Sequence, residues 1–255
     1  MKISIITATY NCNPILIDCL NSVALQSYNN IEHIIIDGAS TDGTLPLINS
    51  KRDQISVLVS EPDNGIYDAM NKGIKLATGN IIGFLNSDDF YANNEIISKV
   101  AIEFKRDPYL DVCYADLIYV NKLNSNKNIR YFKSSKFKQG LFSKGWCPPH
   151  PTFFVRRSAY ERYGSFDLNY RIASDFDLMM RFLEIHKIKS RYIPEVWVKM
   201  RMGGVSNKNL KNIWLQNREI LNSLQRNGLK VNPIIFFVYK IVSRFQQFFE
   251  RQRHS

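Results

Sequence analysis

Residues 81–89 read Ile81-Ile82-Gly83-Phe84-Leu85-Asn86-Ser87-Asp88-Asp89, and the rest of the chain is organised around them. The first half is an apolar run entered from Thr78-Gly79-Asn80, the pattern of a strand buried on both faces. Two adjacent carboxylates stand where the run stops. An unpaired carboxylate is too costly to bury, so the pair belongs at the strand's C-terminal edge. Hard divalent cations take oxygen ligands there, and Mg²⁺ or Mn²⁺ often uses one or two carboxylates together with substrate phosphates. Asn86-Ser87-Asp88-Asp89 also suits a turn followed by a helix N-cap, so these residues alone leave both readings open.

The flanking chain tips the balance. Short β-branched runs at 3–7, 32–37 and 55–59 alternate with helical patterns. The first helix opens near Pro14, tolerated in a first turn, and carries Ile15, Leu16, Leu20, Val23 and Ala24. The second runs through Leu45, Leu47 and Ile48, and the third covers 66–77. Its expected core face is Ile66, Ala69, Met70, Gly73, Ile74 and Ala77. Strands alternating with helices specify a parallel sheet covered on both faces. Ligands of such sheets sit outside the carboxyl ends of the strands, and those ends are polar here, at 7–11, 37–42 and 86–89. The second half is less regular. Helical patterns fall at 94–105, 157–163 and from Ser174 through Leu183, and strand patterns at 112–120, 152–155 and 192–200. A polar loop covers 121–128, and helices at 209–226 and 233–251 close the chain.

A length of 255 residues fits one large α/β domain with a C-terminal extension, and a hydrophobic fraction of 45% argues against disorder. The net charge of +11 is concentrated late, because from Lys199 onward only Glu219 and Glu250 oppose eleven basic residues. Such an end fits an anionic partner: nucleic acid, membrane surface or phosphorylated substrate. Cys12, Cys19, Cys113 and Cys147 form no Cys-x-x-Cys pair, so reduced thiols are expected rather than a zinc site. Met1-Lys2 leads directly into a strand pattern, so no signal peptide is expected, and no apolar run reaches the ~20 residues of a membrane span.

Four constellations carry chemistry. Thr7-Ala8-Thr9-Tyr10-Asn11 and Asp37-Gly38-Ala39-Ser40-Thr41-Asp42 lie at neighbouring strand ends. A carboxylate there can accept an N–H from a pyrimidine base, and Tyr10 can cover its face. The same acids also serve turns and caps, and no Gly-x-Gly-x-x-Gly follows the first strand, which disfavours a Rossmann dinucleotide site. Asp88 and Asp89 could hold a cation bridging two phosphates of a sugar nucleotide. Asp68 and Asn71 share one helix face, turned to that site or engaged at the helix start. Asp175 and Asp177 open a helix, as cap or as general base, and the residues alone do not decide which carboxylate takes the proton. His150, between prolines, reads as structural or as a contact to acceptor or metal.

The chain resembles the family 2 glycosyltransferases of GT-A fold. The resemblance is carried in order by Ile5–Asn11, Ile36–Thr44, Asp63–Gly73 and Leu85–Asp89, then by His150-Pro151-Thr152-Phe153-Phe154 and Ala173–Leu178. It covers about residues 3–206 and implies a mostly parallel nucleotide-binding sheet, an antiparallel part on the acceptor side, helices on both faces and C-terminal helices. Residues 1–90 would form the nucleotide-sugar half, 91–206 the acceptor half and 207–255 a basic amphipathic extension. The resemblance implies that Asp37 contacts the base, with Thr7, Thr9, Tyr10, Asn11, Ser40, Asp42, Asp68, Asn71, Asn86 and Ser87 around the nucleotide. Asp88 and Asp89 would bind Mn²⁺ or Mg²⁺, Asp175 would be the catalytic base, and His150 and Asp177 would lie on the acceptor side. Ser174 stands where the family often has Glu, and the Gln-x-x-Arg-Trp of processive synthases is absent. The expected reaction is therefore transfer of one sugar with inversion, from a UDP-hexose or UDP-N-acetylhexosamine to a glycan or lipid-linked hydroxyl. Nucleotidyl transfer and non-catalytic sugar-nucleotide binding are the competing readings.

The tail pairs apolar Ile234, Ile235, Phe237, Val238, Ile241, Val242, Phe245, Phe248 and Phe249 with Lys240, Arg244, Arg251 and Arg253. That composition fits a helix in a membrane interface, at the cytoplasmic face of the cell membrane by the resemblance, more than a nucleic-acid reading motif. The alternative is an apolar face packed on the catalytic domain or on a second subunit.

Overall fold

The computed structural model describes residues 1–122, 124–203 and 210–249. In chain order the first elements are β1 (Ile3–Thr9), α1 (Leu16–Ala24), β2 (Ile31–Asp37), α2 (Thr44–Asn49), β3 (Val57–Ser60), α3 (Ile66–Leu76) and β4 (Ile81–Phe84). The four strands are parallel in the order β3-β2-β1-β4. The register pairs Thr9 with Asp37 and Asp37 with Ser60, so three strand ends finish side by side.

The chain continues through β5 (Phe90–Tyr91), α4 (Ile96–Arg106), β6 (Val112–Val120), β7 (Asn128–Phe132), β8 (Phe154–Arg156), α5 (Arg157–Tyr163) and α6 (Ser174–Met180). It ends with β9 (Ser190–Arg201), α7 (Leu210–Arg226) and α8 (Pro233–Phe249). The sheet runs on from β4 as β8-β6-β9-β5, with β7 paired to β6. Here β8 is antiparallel to β4 and β6, β9 is parallel to β6, and β5 and β7 are antiparallel to their partners. The mixed half thus matches the expected architecture. Strands β5 and β7 were not anticipated, since two residues carry no period and 128–132 adjoin a polar loop.

Two apolar clusters cover the two faces. Ile34 and Ile36 pack into one, with Ile6, Phe84 and Phe153, while Ile35 packs into the other, with Ile3, Ile5 and Leu16. Alternate burial of a continuous isoleucine run is what a strand covered on both sides requires. On α3 the expected face is corrected: Ile66 is exposed, and Tyr67 is buried with Ala69, Met70, Asn71 and Gly73. The helix turns that way because Tyr67 stacks on Phe166 at 5.4 Å and its hydroxyl finds acceptors inside. Gly73 lets α3 close on the sheet, since a Cβ there would lie 2.4 Å from Ile6 Cγ2.

The 206/207 boundary lies outside the described residues. Beyond it α7 joins the first cluster through Ile220 and Leu224, so this helix belongs to the sheet's own core. Helix α8 contributes fully buried Phe236, which packs on Gly145, and leaves Ile234, Ile235, Phe237, Val238, Ile241, Val242 and Phe245 exposed. Packing of that broad face on the catalytic body is therefore not what the fold shows. Among the described residues no helix is long and apolar enough to cross a membrane.

Candidate active site

At the carboxyl edge of the parallel strands, Asp37 is fully buried. Its Oδ1 accepts from the Thr9 hydroxyl at 3.1 Å and the Ser40 hydroxyl at 2.5 Å, and its Oδ2 from Ser40 N–H at 3.0 Å and the Ser60 hydroxyl at 2.7 Å. Four donors match the roughly four acceptor positions of a carboxylate, so Asp37 ties the ends of β1, β2 and β3 together. The loops above are laced as well. Asn11 N–H donates to the Ser40 hydroxyl at 2.9 Å, and Thr41 N–H donates to Asn11 Oδ1 at 2.9 Å. Asn11 and Ala39 hold left-handed φ of 46° and 59°, a strained backbone of the kind that persists where surroundings over-determine it. Asp42 closes a turn on Thr44 N–H and accepts from Asn13 N–H; the Thr44 contact first among these hydrogen bonds holds its carboxyl below the usual range.

One carboxylate missed by sequence reasoning points outward into this cup. A Cβ on Gly38 would lie 2.6 Å from Asp63 Oδ2 and 3.4 Å from the Tyr10 ring, so Asp63 fills the space that Gly38 leaves. Its Oδ1 accepts from Gly65 N–H at 2.8 Å, and Tyr10 is 65% exposed. Asp63 and Tyr10 thus offer an acceptor and a ring face to one planar ligand, while Asp37 supports the floor. Sequence reasoning met Asp63 only as the first residue of a stretch that carries the resemblance and gave it no role; Gly38, bare in the neighbouring strand exit, was the other signal.

Other expected nucleotide residues turn inward. Thr7 is fully buried, with its hydroxyl 3.1 Å from His33 Nε2 and 3.7 Å from Cys19 Sγ, and so belongs to the core. The Asn71 amide is engaged on both sides of Phe166, donating to its carbonyl at 2.9 Å and accepting its N–H at 3.0 Å. Asp68 reaches back to Asn64 N–H at 3.0 Å, holding the turn before α3. Ser87 lies beside the Cys12 thiol.

The two acids after β4 separate. Asp89 is fully buried; its Oδ2 accepts from Asn86 Nδ2 at 2.9 Å and its Oδ1 from Arg201 N–H at 3.2 Å. Asp88 is only partly covered. Burial pushes both carboxyls above the usual range; the Asp88 charge adds to this for Asp89, and Arg201 opposes it for both. Sequence reasoning counted Arg201 with the basic tail. It lies instead at the end of β9, donates from Nη1 to the Asp88 carbonyl at 2.9 Å and pairs with Asp18. Among the described residues no group of three or more His, Cys, Asp or Glu could hold a metal ion. Of the two adjacent acids, Asp88 is the more accessible. It fits a cation carried chiefly by a diphosphate and water, not a closed protein cage. Asp89, expected as a metal ligand beside Asp88, is buried here and engaged by Asn86 and the Arg201 N–H.

Asp175 sits in the first turn of α6, after an N-cap position occupied by Ala173, so it is not the cap. Its Oδ1 accepts from the Tyr67 hydroxyl at 3.1 Å and from Phe176 N–H at 2.8 Å, and among the described residues no hydrogen bond falls on Oδ2. Asp177, expected on the acceptor side, is buried instead, bound to Arg181 Nε at 2.7 Å and the Ser223 hydroxyl at 2.7 Å. His150 stacks on Phe84 at 5.3 Å and meets Phe166 edge-on at 5.6 Å. Burial lowers its pKa against the opposing Asp175 charge, and its buried Nε2 has no hydrogen-bond partner among the described residues. The aromatic group of Tyr67, Phe84, His150 and Phe166 thereby joins the end of β4 to Asp175.

The sheet's carboxyl edge thus brings together the Tyr10–Asp63 cup, the half-buried Asp88 and, through Tyr67, the carboxylate of Asp175. The family model described as glycosyl transferase family 2 matches residues 4–164, more than half of the chain, and the chain belongs to that family. A PGL/p-HBAD biosynthesis glycosyltransferase of Mycobacterium bovis is 31% identical over 208 residues, 80% of this chain and 78% of that protein. The fold is GT-A. S. aureus TarS 1–349, solved in complex with UDP-GlcNAc, superposes with a TM-score of 0.66 at 19% identity, over 90% of this chain and 68% of that one. Against a longer TarS chain the coverage of that chain is 41%. The mannosyltransferase PcManGT of Pyrobaculum calidifontis, in complex with GDP-Man and Mn²⁺, gives 0.65 at 18% identity, over 95% and 69%. Asp175 lies beyond the residues that the family model matches.

Proposed function

We propose that this chain transfers one sugar, with inversion, from a UDP-hexose or UDP-N-acetylhexosamine to a hydroxyl of a glycan or lipid-linked acceptor in surface polysaccharide or glycolipid synthesis. The observation that carries the reading is the Tyr67–Asp175 hydrogen bond. It links the base to the helix that begins three residues after Asp63, so donor cup and base both meet the start of α3. The relative's name and the UDP-GlcNAc complex of TarS support the donor and acceptor classes.

Tyr10 and Asp63 receive the base of the nucleotide, and the strained 39–41 loop lets backbone approach the ribose. Asp88 would hold Mn²⁺ or Mg²⁺, which when bound supplies charge neutralisation of the departing diphosphate. The Asp175 carboxylate takes the proton of the acceptor hydroxyl. The freed oxygen attacks the anomeric carbon from the face opposite the nucleotide, and the bond from that carbon to the diphosphate oxygen breaks. One displacement inverts the centre and needs no covalent nucleophile. Helix α8 lays its exposed apolar side in a membrane interface at the inner face of the cell membrane, beside lipid-linked acceptors, with Lys240 turned to Asn217 of α7.

A panel of UDP-, GDP- and dTDP-sugars with Mn²⁺ tests the donor. UDP-sugars should raise the unfolding temperature and release UDP on adding acceptor. Protection by GDP- or dTDP-sugars alone would move the donor class, and protection by none would sink the reading.

A further inference from the structure

Glu219, in the middle of α7, takes three consecutive backbone N–H groups. Its Oε1 accepts from Arg171 at 3.0 Å, and its Oε2 accepts from Ile172 at 2.8 Å and Ala173 at 3.0 Å. These are the residues that lead into the turn carrying Asp175. The other side of the same segment is pinned by Tyr67, whose single hydroxyl proton is shared between the Ile172 carbonyl at 2.8 Å and Asp175 Oδ1 at 3.1 Å. Residue 172 is therefore held through its N–H by α7 and through its C=O by α3. One turn along α7 from Glu219, the Ser223 hydroxyl holds Asp177 at 2.7 Å. Arg181 then fixes Asp177 to the Tyr163 carbonyl at 2.9 Å and the Ser165 carbonyl at 2.7 Å. Contacts from α7 thus bracket Asp175 on both sides in sequence.

We infer that Glu219 is a positioning residue for Asp175, and that α7 is a working part of the active site. The inference rests on the reading of Asp175 as the base. A carboxylate accepting three main-chain N–H groups makes charge-assisted bonds, stronger than neutral ones, and it fixes a segment of backbone, not one side chain. Ser174 cannot do this for the turn, because its hydroxyl donates to the Asp167 carbonyl at 2.8 Å. A base must sit within hydrogen-bond reach of the proton it takes, and small displacements are amplified in rate.

The test uses the full chain with the UDP-sugar that the panel selects, reading UDP release at saturating acceptor. Glu219→Gln keeps the side chain's shape but turns one acceptor into a donor facing an N–H. It should lower kcat about tenfold and leave donor KM and UDP affinity within twofold. Leu224→Val loosens the packing of the same helix without touching 171–173; it should lower the unfolding temperature at least as far with kcat within twofold. Ser223→Ala releases the second contact and should show a smaller kcat loss of the same kind, which keeps the idea testable should Glu219→Gln not fold. A kcat unchanged in both α7 polar variants, or a kcat loss that Leu224→Val reproduces at equal destabilisation, overturns the inference. Asp175→Asn in parallel separates the two claims. If it retains turnover, the base lies elsewhere and the inference falls with that reading; if it alone loses turnover, only the positioning role falls.

Discussion

Asp37 and Asp175 are both carboxylates beside the sheet's carboxyl edge, but they are built in opposite ways. Asp37 spends both oxygens on four donors from Thr9, Ser40 and Ser60, all within the first four strands and their loops. Asp175 has two donors on one oxygen, and its turn is held by Tyr67 and Glu219, each from a distant element. A carboxylate with every acceptor position filled holds backbone; one with an open oxygen can take a proton. On the reading of Asp175 as the base, the two acids differ in their unfilled lone pairs, not in residue type.

Replacing each acid breaks that comparison most directly. Asp175→Asn should lower turnover by about 10²–10⁴-fold while UDP affinity stays within twofold, measured by calorimetry on the same preparation. Asp37→Ala should instead weaken UDP binding and lower the unfolding temperature together, because three strand ends lose their tie. If Asp175→Asn loses UDP affinity as much as turnover, Asp175 holds the donor.

The same contrast recurs at 88–89, at smaller amplitude in stability. Asp88→Asn should abolish Mn²⁺-stimulated transfer and leave the unfolding temperature within about 2 °C, since its side chain supports little else. Asp89→Asn should lower the unfolding temperature clearly, because an amide cannot accept from both Asn86 and Arg201 with the same strength; a buried partner left unsatisfied costs about 1–3 kcal/mol. Equal stability of the two variants would contradict the division of roles.

What was legible in the sequence follows from the same physics. Strand ends in a parallel sheet have short, local consequences, so 7–11, 37–42 and 86–89 fell together from pattern alone. Which side chains then turn inward was not legible. Thr7 reaches a buried His33, and Asn71 clamps Phe166, 95 residues away in sequence. No window along the chain contains both partners. Asp63 was hidden for a related reason, because its role is set by the side chain missing at Gly38. Likewise Glu219 read as one of two acids opposing a basic tail, while its three partners sit on a segment that periodicity leaves blank.

Helices α7 and α8 sharpen the comparison at the level of whole elements. A chain ending at Leu229 keeps α7 and removes α8. It should still release UDP from the donor, with a modest fall in stability from the loss of Phe236, and should no longer sediment with vesicles containing anionic lipid. Retained sedimentation would place the membrane contact elsewhere, and loss of the fold would make α8 a structural element.

The smallest effect expected is on the acid limb of stability, and it lies in the first half of β2. Burial brings the His33 imidazole down to about 4. Its pKa is depressed on folding, so the neutral form is favoured: the full stability is present above the unfolded value near 6.5 and is lost as pH falls towards 4. Glu32, its neighbour, titrates lower. Burial alone would raise that carboxyl, but hydrogen bonds from Lys2, Ser4 and Thr78 outweigh it and bring it to about 2. Its contribution is present above the unfolded value near 4.5 and is lost between there and 2. Unfolding temperatures should therefore fall in two stages on acidification. His33→Gln, which can still meet the Thr7 hydroxyl, should flatten the first stage and leave the second. In the acceptor half His150 is also lowered by burial, but the Asp175 charge works against the shift. His150→Gln should accordingly change the first stage less than His33→Gln does. The reverse order would mean that the aromatic group around Asp175, and not the buried His33 of β2, sets the acid tolerance of the fold.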